Sequence, residues 1–257
     1  MREEKQTVYF VGAGPGDPEL ITVKGQRLLQ EADLIIYTGS LVPRALVENL
    51  AGESINSAPL NLDEVFTLIK TAHAEGKRIV RLHTGDSAIF GAINEQLALL
   101  RAHSIPFQVI PGVSSALATA AALETQLTLP EVAQTVIFTR RAGRTPVPAG
   151  EDLISLARHG STMMIFLSIS MISEVVAELL EGGYPVHTPA AVVEKASWPE
   201  ERILRGTLTN IAQQVKDAGI TKTALIAVGP AISLEAPEIL SKLYDRGFSH
   251  EYRQAKP

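Results

Sequence analysis

The chain has 257 residues, 46% of them hydrophobic, with no cysteine and a formal charge of −5 from 23 Lys and Arg against 28 Asp and Glu. That length and apolar share can bury a large core in one large or two smaller domains, which excludes intrinsic disorder. The missing cysteines exclude disulfides and thiolate-bound zinc, and the acidic balance argues against a surface built to grip nucleic-acid phosphates.

The longest apolar run, 163–167, falls far short of the roughly 18 residues that span a bilayer, so no membrane association is expected. No charged, apolar and small-residue succession suggests export, and the expected location is a bacterial cytoplasm.

The first predicted strand, 8–11, runs into Gly12-Ala13-Gly14-Pro15-Gly16-Asp17, a glycine turn that leads toward a helix and lets a ligand approach the backbone. A dinucleotide site would need Gly-x-Gly-x-x-Gly and an acidic residue about 20 positions on. The spacing here differs, and the next predicted strand, 34–37, ends in Thr38 and Gly39 without a carboxylate, so ordinary NAD binding is not expected. Leu62, Val65, Phe66 and Ile69 repeat at helical spacing between an N-cap at Asn61 and a stop at Gly76, which predicts a crossover helix.

The predicted strand at 78–82 leads to His83-Thr84-Gly85-Asp86, a second glycine loop at the carboxyl end of a strand. Asp86 either caps a helix over 89–101 or meets a ligand; spacing alone favours the cap. His83 reads as a hydrogen-bonded strand-end histidine, and His73, His103, His159, His187 and His250 lack metal-ligand spacing, so no metal is expected. A strand at 107–110 ends in Pro111-Gly112, the expected boundary between an N-terminal α/β domain, 1–112, and a C-terminal α/β domain, 113–257. Just beyond, Ser114 and Ser115 open an alanine-rich helix whose free N–H groups favour a polar or anionic group.

Strands are predicted at 135–139, 163–167, 190–193, 203–208 and 224–228, with helices over 172–180 and 209–219, and the short link between 190–193 and 203–208 predicts a hairpin. Arg140, Arg141 and Arg144 form a cluster able to hold carboxylates bidentately; a solvated turn fits the same composition. No nucleophile triad, Walker loop or zinc-protease motif is present, so the catalytic residues stay unknown.

In order, Val11-Gly12-Ala13-Gly14-Pro15-Gly16-Asp17, His83-Thr84-Gly85-Asp86, Ile110-Pro111-Gly112-Val113-Ser114 and Glu194-Lys195-Ala196-Ser197-Trp198-Pro199 resemble the tetrapyrrole methyltransferases over nearly the whole chain. The segments from Thr139 to Pro146 and Lys195 to Pro199, with Phe248-Ser249-His250-Glu251-Tyr252-Arg253, resemble the branch that methylates carbon 11 of precorrin-4 in cobalamin synthesis. The resemblance implies two α/β domains, S-adenosylmethionine in the inter-domain cleft, a homodimer, and a tetrapyrrole in an adjoining trough.

Carried over by position, cofactor contacts fall at Pro15, Gly85, Asp86, Ile89, Ser114, Ser115, Leu167, Ala196 and Leu225, and substrate carboxylates at Arg140, Arg141 or Arg144. Relatives acting on uroporphyrinogen carry arginine where Ala92 stands and methionine where Leu167 stands; both differences point away from that substrate. The competing readings are a sister methylase acting at another ring carbon, an RNA or diphthamide methylase, and a nucleotide-binding module without chemistry.

Overall fold

The computed structural model describes residues 7–39, 41–233 and 241–255. The chain divides into two compact units: the first runs to Ala118 and takes in Lys195–Glu200, and the second comprises Thr119–Glu194 and the chain from Glu201 onward. Among the described residues no helix is long and apolar enough to cross a membrane.

The first unit is built on β1 (Val8–Gly12), α1 (Val23–Glu31), β2 (Leu34–Tyr37), β3 (Glu53–Asn56), α2 (Leu62–Ala74), β4 (Ile79–His83), α3 (Asn94–Ala102) and β5 (Phe107–Ile110). The strands form one sheet in the order β3-β2-β4-β1-β5, and every pairing is parallel. Parallel strands need helical crossovers, and these bury both sheet faces. Leu28 and Leu29 of α1 pack with Val11, Ile35, Val80 and Leu82 on one face. Val65 and Ile69 of α2, with Leu97 and Leu100 of α3, pack with Val8, Phe10, Ile36 and Ile79 on the other.

The α2 helix begins as expected at Asn61, whose side chain accepts from Glu64 N while Glu64 closes the box onto Asn61 N. Two expectations move. The predicted helix over 89–101 starts at Asn94, because Phe90 (φ 53°) and Ala92 (φ 47°) take left-handed conformations that a helix does not admit. The edge strand β3 was not anticipated: Glu53-Ser54-Ile55-Asn56 is mostly exposed and offers only Ile55 to the core, too little apolar pattern to mark a strand, so its pairing with β2 makes it one.

Helix α4 (Ser115–Ala122) runs across the division between the units. The second unit then contains β6 (Val136–Arg140), α5 (Leu153–Ala157), β7 (Thr162–Phe166), α6 (Ile172–Glu181), β8 (Pro189–Glu194), β9 (Arg202–Thr207), α7 (Ile211–Asp217) and β10 (Ala224–Val228). Its sheet has the order β6-β7-β10-β8-β9. β6 and β7 are parallel and the other pairings are antiparallel, including the expected β8–β9 hairpin. Met163, Ile165, Val192, Ile226 and Val228 turn to the face packed by Val175 and Leu179 of α6 and Val215 of α7.

Candidate active site

Strands β1 and β4 lie side by side, yet the chain leaves β1 through α1 on one sheet face and β4 through α3 on the other. Diverging connections open a crevice beyond the carboxyl ends of such strands, where open α/β sheets bind ligands. Here the two glycine loops meet. Gly14 N donates to Gly85 O (3.2 Å) and Gly85 N to Gly14 O (2.8 Å), while Ala13 N donates to His83 O (2.7 Å). The bridge spends the N–H groups of both glycines on each other, so a ligand must use their surface and other donors.

The third loop, from β5, joins by backbone contact. A Cβ on Gly112 would lie 2.2 Å from Gly85 O and 2.8 Å from Gly12 Cα, so only glycine fits. Asp86 secures the junction: Oδ1 accepts Ala88 N (2.8 Å) and Oδ2 accepts Gly112 N (2.9 Å). The side chain caps its own turn and ties it to the end of β5, and α3 starts too far along the chain for Asp86 to cap it. Gly85 itself, at φ 60°, lies against the start of α4: an added Cβ would stand in van der Waals contact with Ser115 N at 3.7 Å and Ser114 Cα at 3.9 Å. Ser114 is buried, its Oγ accepts Ala116 N (3.3 Å), and the first turn of α4, with its free N–H groups, faces the Gly85 loop.

Lys195–Glu200 covers the first loop. Trp198 Nε1 donates to Pro15 O (2.9 Å), the indole packs on Gly16, and Ser197 Oγ accepts Asp17 N (3.0 Å). Lys195 and Ser197 both have positive φ, at 50° and 67°, a costly backbone that the docked loop holds in place. The structure thus gathers Pro15, Gly85, Asp86, Ser114, Ser115 and Ala196 in the first unit, with Ile89 half-buried in the turn after Asp86. The anchoring role of Trp198 was not read from the sequence, although a lone tryptophan in a polar loop was the available signal.

In the second unit, Leu225 is buried within β10. Leu167, just past β7, is 69% exposed at φ 53°, a strained and unsheltered position for a large apolar side chain. The three arginines separate by environment. Arg140 holds its own loop by donating to Thr145 O and Pro146 O. Arg141 pairs with Glu178 (Nη2–Oε1 2.7 Å), and its N–H donates to Ser168 Oγ. Arg144 is exposed and makes no hydrogen bond or ion pair among the described residues.

Arg81 and His83 escaped the sequence reading as a pair. They face the α2/α3 side of the sheet, each 6% exposed. Arg81 donates from Nε to Gln96 Oε1 and from Nη1 to Ile36 O, and burial lowers its pKa to about 10. His83 stacks on Phe10, its Nε2 has no partner, and burial, reinforced by the Arg81 charge, pushes its pKa down to about 3. It is therefore a neutral core ring rather than a hydrogen-bonded one. Among the described residues no group of three or more His, Asp and Glu is placed to hold a metal.

Two α/β sheets, with paired glycine loops and a helix N-terminus at the carboxyl edge of one of them, define a small-molecule-binding protein of the open-sheet class. The profile of the Tetrapyrrole (Corrin/Porphyrin) Methylases matches residues 7–212, and the chain belongs to that family. It is 54% identical over 255 residues to a cobalt-precorrin-4 C(11)-methyltransferase of Methanocaldococcus jannaschii, covering 98% of each chain. Among solved structures it is similar to a cobalamin biosynthetic enzyme, cobalt precorrin-4 methyltransferase, with a TM-score of 0.88 and 43% identity, covering 91% of this chain and 98% of that one. It is also similar to the uroporphyrin-III C-methyltransferase of Thermus thermophilus complexed with S-adenosylhomocysteine, with a TM-score of 0.75 and 31% identity, covering 90% and 96%.

Proposed function

We propose that the chain is an S-adenosylmethionine-dependent methyltransferase acting at carbon 11 of precorrin-4, or its cobalt complex, in cobalamin biosynthesis. The carrying observation is the 54% identity to the Methanocaldococcus jannaschii enzyme along 98% of both chains. Support for the cofactor comes from the family match and from the relative that carries S-adenosylhomocysteine. The residues fit such a group: the N-terminus of α4, with Ser114 and Ser115, lies beside the Gly85 loop and supplies N–H donors suited to a carboxylate.

When bound, the sulfonium supplies an already activated methyl group. The protein's part is alignment, which can contribute about 7 to 11 kcal/mol. Gly85, Pro15 and Ala196 shape the cofactor cradle, the α4 N-terminus offers N–H donors to its carboxylate, and Asp86 acts by holding the loops after β4 and β5 in register. Arg144 is the arginine of its cluster with donors to spare for a substrate carboxylate. Ala92 and Leu167, where uroporphyrinogen enzymes differ, favour the precorrin-4 branch over that sister activity. The proposal also takes from the resemblance a homodimer, and from the sequence a domain boundary after Gly112, a cytoplasmic location and no metal of the protein's own.

The deciding experiment is incubation with S-adenosylmethionine and precorrin-4, free and cobalt-bound, with the new methyl located by NMR. A methyl at carbon 11 is expected. A methyl at another carbon supports the sister reading, and no transfer to any corrinoid precursor overturns the proposal.

A further inference from the structure

Beyond the carboxyl ends of β2, β3 and β4 lies a second hollow that the glycine loops do not form. It is a cavity of about 370 Å³, lined by Thr38, Ser57, Ala58, Asn61, Arg81 and Glu95 among others. Arg81, only 6% exposed, is buried beneath it. Its bonds to Gln96 and Ile36 use two of the guanidinium's five N–H donors. No carboxylate lies within ion-pair distance of it among the described residues; Glu95, the other charged residue of the lining, is exposed and does not pair with it. A buried guanidinium without a counter-charge is costly, so such a group ordinarily has a partner.

One helix N-terminus adds to the field. Asn61 and Leu62 at the start of α2 line the cavity, but the capping box with Glu64 closes that end; Ala92, Glu95 and Gln96 line it around the start of α3. Ile93 at the N-cap of α3 makes no side-chain capping bond, so the first-turn N–H groups of that helix stay uncapped. The uncapped start of α3 and one buried guanidinium therefore converge on one hollow, with Glu95 as the acidic residue at its edge.

We propose that this cavity is a carboxylate subsite, in which Arg81 receives a peripheral carboxylate arm of the tetrapyrrole and so fixes the rotation of the macrocycle. The inference rests on the reading of the chain as a tetrapyrrole methylase. Arg81 is here a substrate-binding and specificity-determining residue, distinct from the loop arginines. Ser57, whose hydroxyl donates to Tyr37 O, and Thr38 form part of the polar wall.

The test uses the intact protein and two readouts. In arginine-labelled protein, the Arg81 Nε–H NMR signal, assigned by its loss in Arg81→Lys, is titrated with glutarate as a mimic of one arm. A saturable shift is expected in wild type and none in Ala58→Glu, which puts a negative charge at an exposed edge of the cavity. In steady-state assays, Ala58→Glu and Arg81→Lys should each raise KM for precorrin-4 about ten-fold or more, with KM for S-adenosylmethionine unchanged. Ala58→Glu leaves Arg81 and its partners intact, so it stays informative if Arg81→Lys fails to fold.

An unmoved Arg81 signal together with an unchanged KM in Ala58→Glu overturns the subsite, while methylation by wild type leaves the proposed function standing. Conversely, a glutarate-dependent shift in a protein that methylates no precorrin supports the carboxylate site and refutes the proposed function. The two failures are thus distinguishable.

Discussion

At the scale of single residues, chemistry-bearing side chains near the site are used largely for architecture. Asp86 spends both oxygens on backbone N–H groups of two loops. Asp86→Ala should cost about 2 kcal/mol of stability, read as a lower urea midpoint, and cofactor affinity should fall because the loops lose register. Unchanged stability with lost binding of S-adenosylhomocysteine would instead assign Asp86 to the ligand itself. His83 predicts a pH effect of definite sign. Its folded pKa of about 3 lies below the unfolded value of about 6.5, so the unfolded chain binds the proton first. Its contribution is complete above pH ~6.5 and is lost as pH falls toward 3, by up to about 1.4 kcal/mol per pH unit. His83→Phe, which keeps a ring against Phe10, should flatten that part of the urea midpoint against pH curve. An unaltered slope would mean that His83 is charged in the fold.

At the scale of elements, loops carry the site and strands position them. The Lys195–Glu200 loop brings Trp198, the only tryptophan of the chain, onto the Pro15 carbonyl. Binding of S-adenosylhomocysteine beside Pro15 should therefore change the intrinsic tryptophan emission in a saturable way, and a titration that leaves the emission flat while calorimetry records binding would place the ligand elsewhere. The loop after β6 allows a sharper division. Arg144→Ala should raise KM for the tetrapyrrole several-fold without altering the urea midpoint, whereas Arg141→Ala breaks the half-buried pair with Glu178 and should cost about 1 kcal/mol of stability, read as a lower midpoint. Equal effects of the two variants on stability would erase the distinction. The bounds of α3 teach a related lesson. Ile89-Phe90-Gly91 reads as the start of a helix by composition, yet the positive φ at Phe90 and Ala92 keeps that segment out of α3, and Ala92 lines the Arg81 cavity.

At the scale of the whole molecule, a ligand that binds the folded chain alone raises its stability by mass action, about 2.7 kcal/mol at a hundred times Kd. S-adenosylhomocysteine should therefore raise the melting temperature while NAD leaves it in place; the reverse order would favour a nucleotide-binding module. Most of the strands, their assignment to two sheets and the β8–β9 hairpin were legible in the chain, because β-branched runs, the capping box at Asn61 and glycine stops are local signals. The family was legible too, since four ordered motifs each report a backbone need at a strand end. The edge strand β3 was not, because its polar residues become a strand only by pairing with β2. Nor were the pairing of Gly14 with Gly85, the commitment of Arg140 and Arg141 to their own loop and helix, or the burial of Arg81 without a counter-charge. Sequence by itself determined which residue types stand at which strand ends, since that information is local. Only the tertiary structure decided which polar groups remain free for a ligand, because hydrogen-bond partners distant along the chain compete for each donor and acceptor.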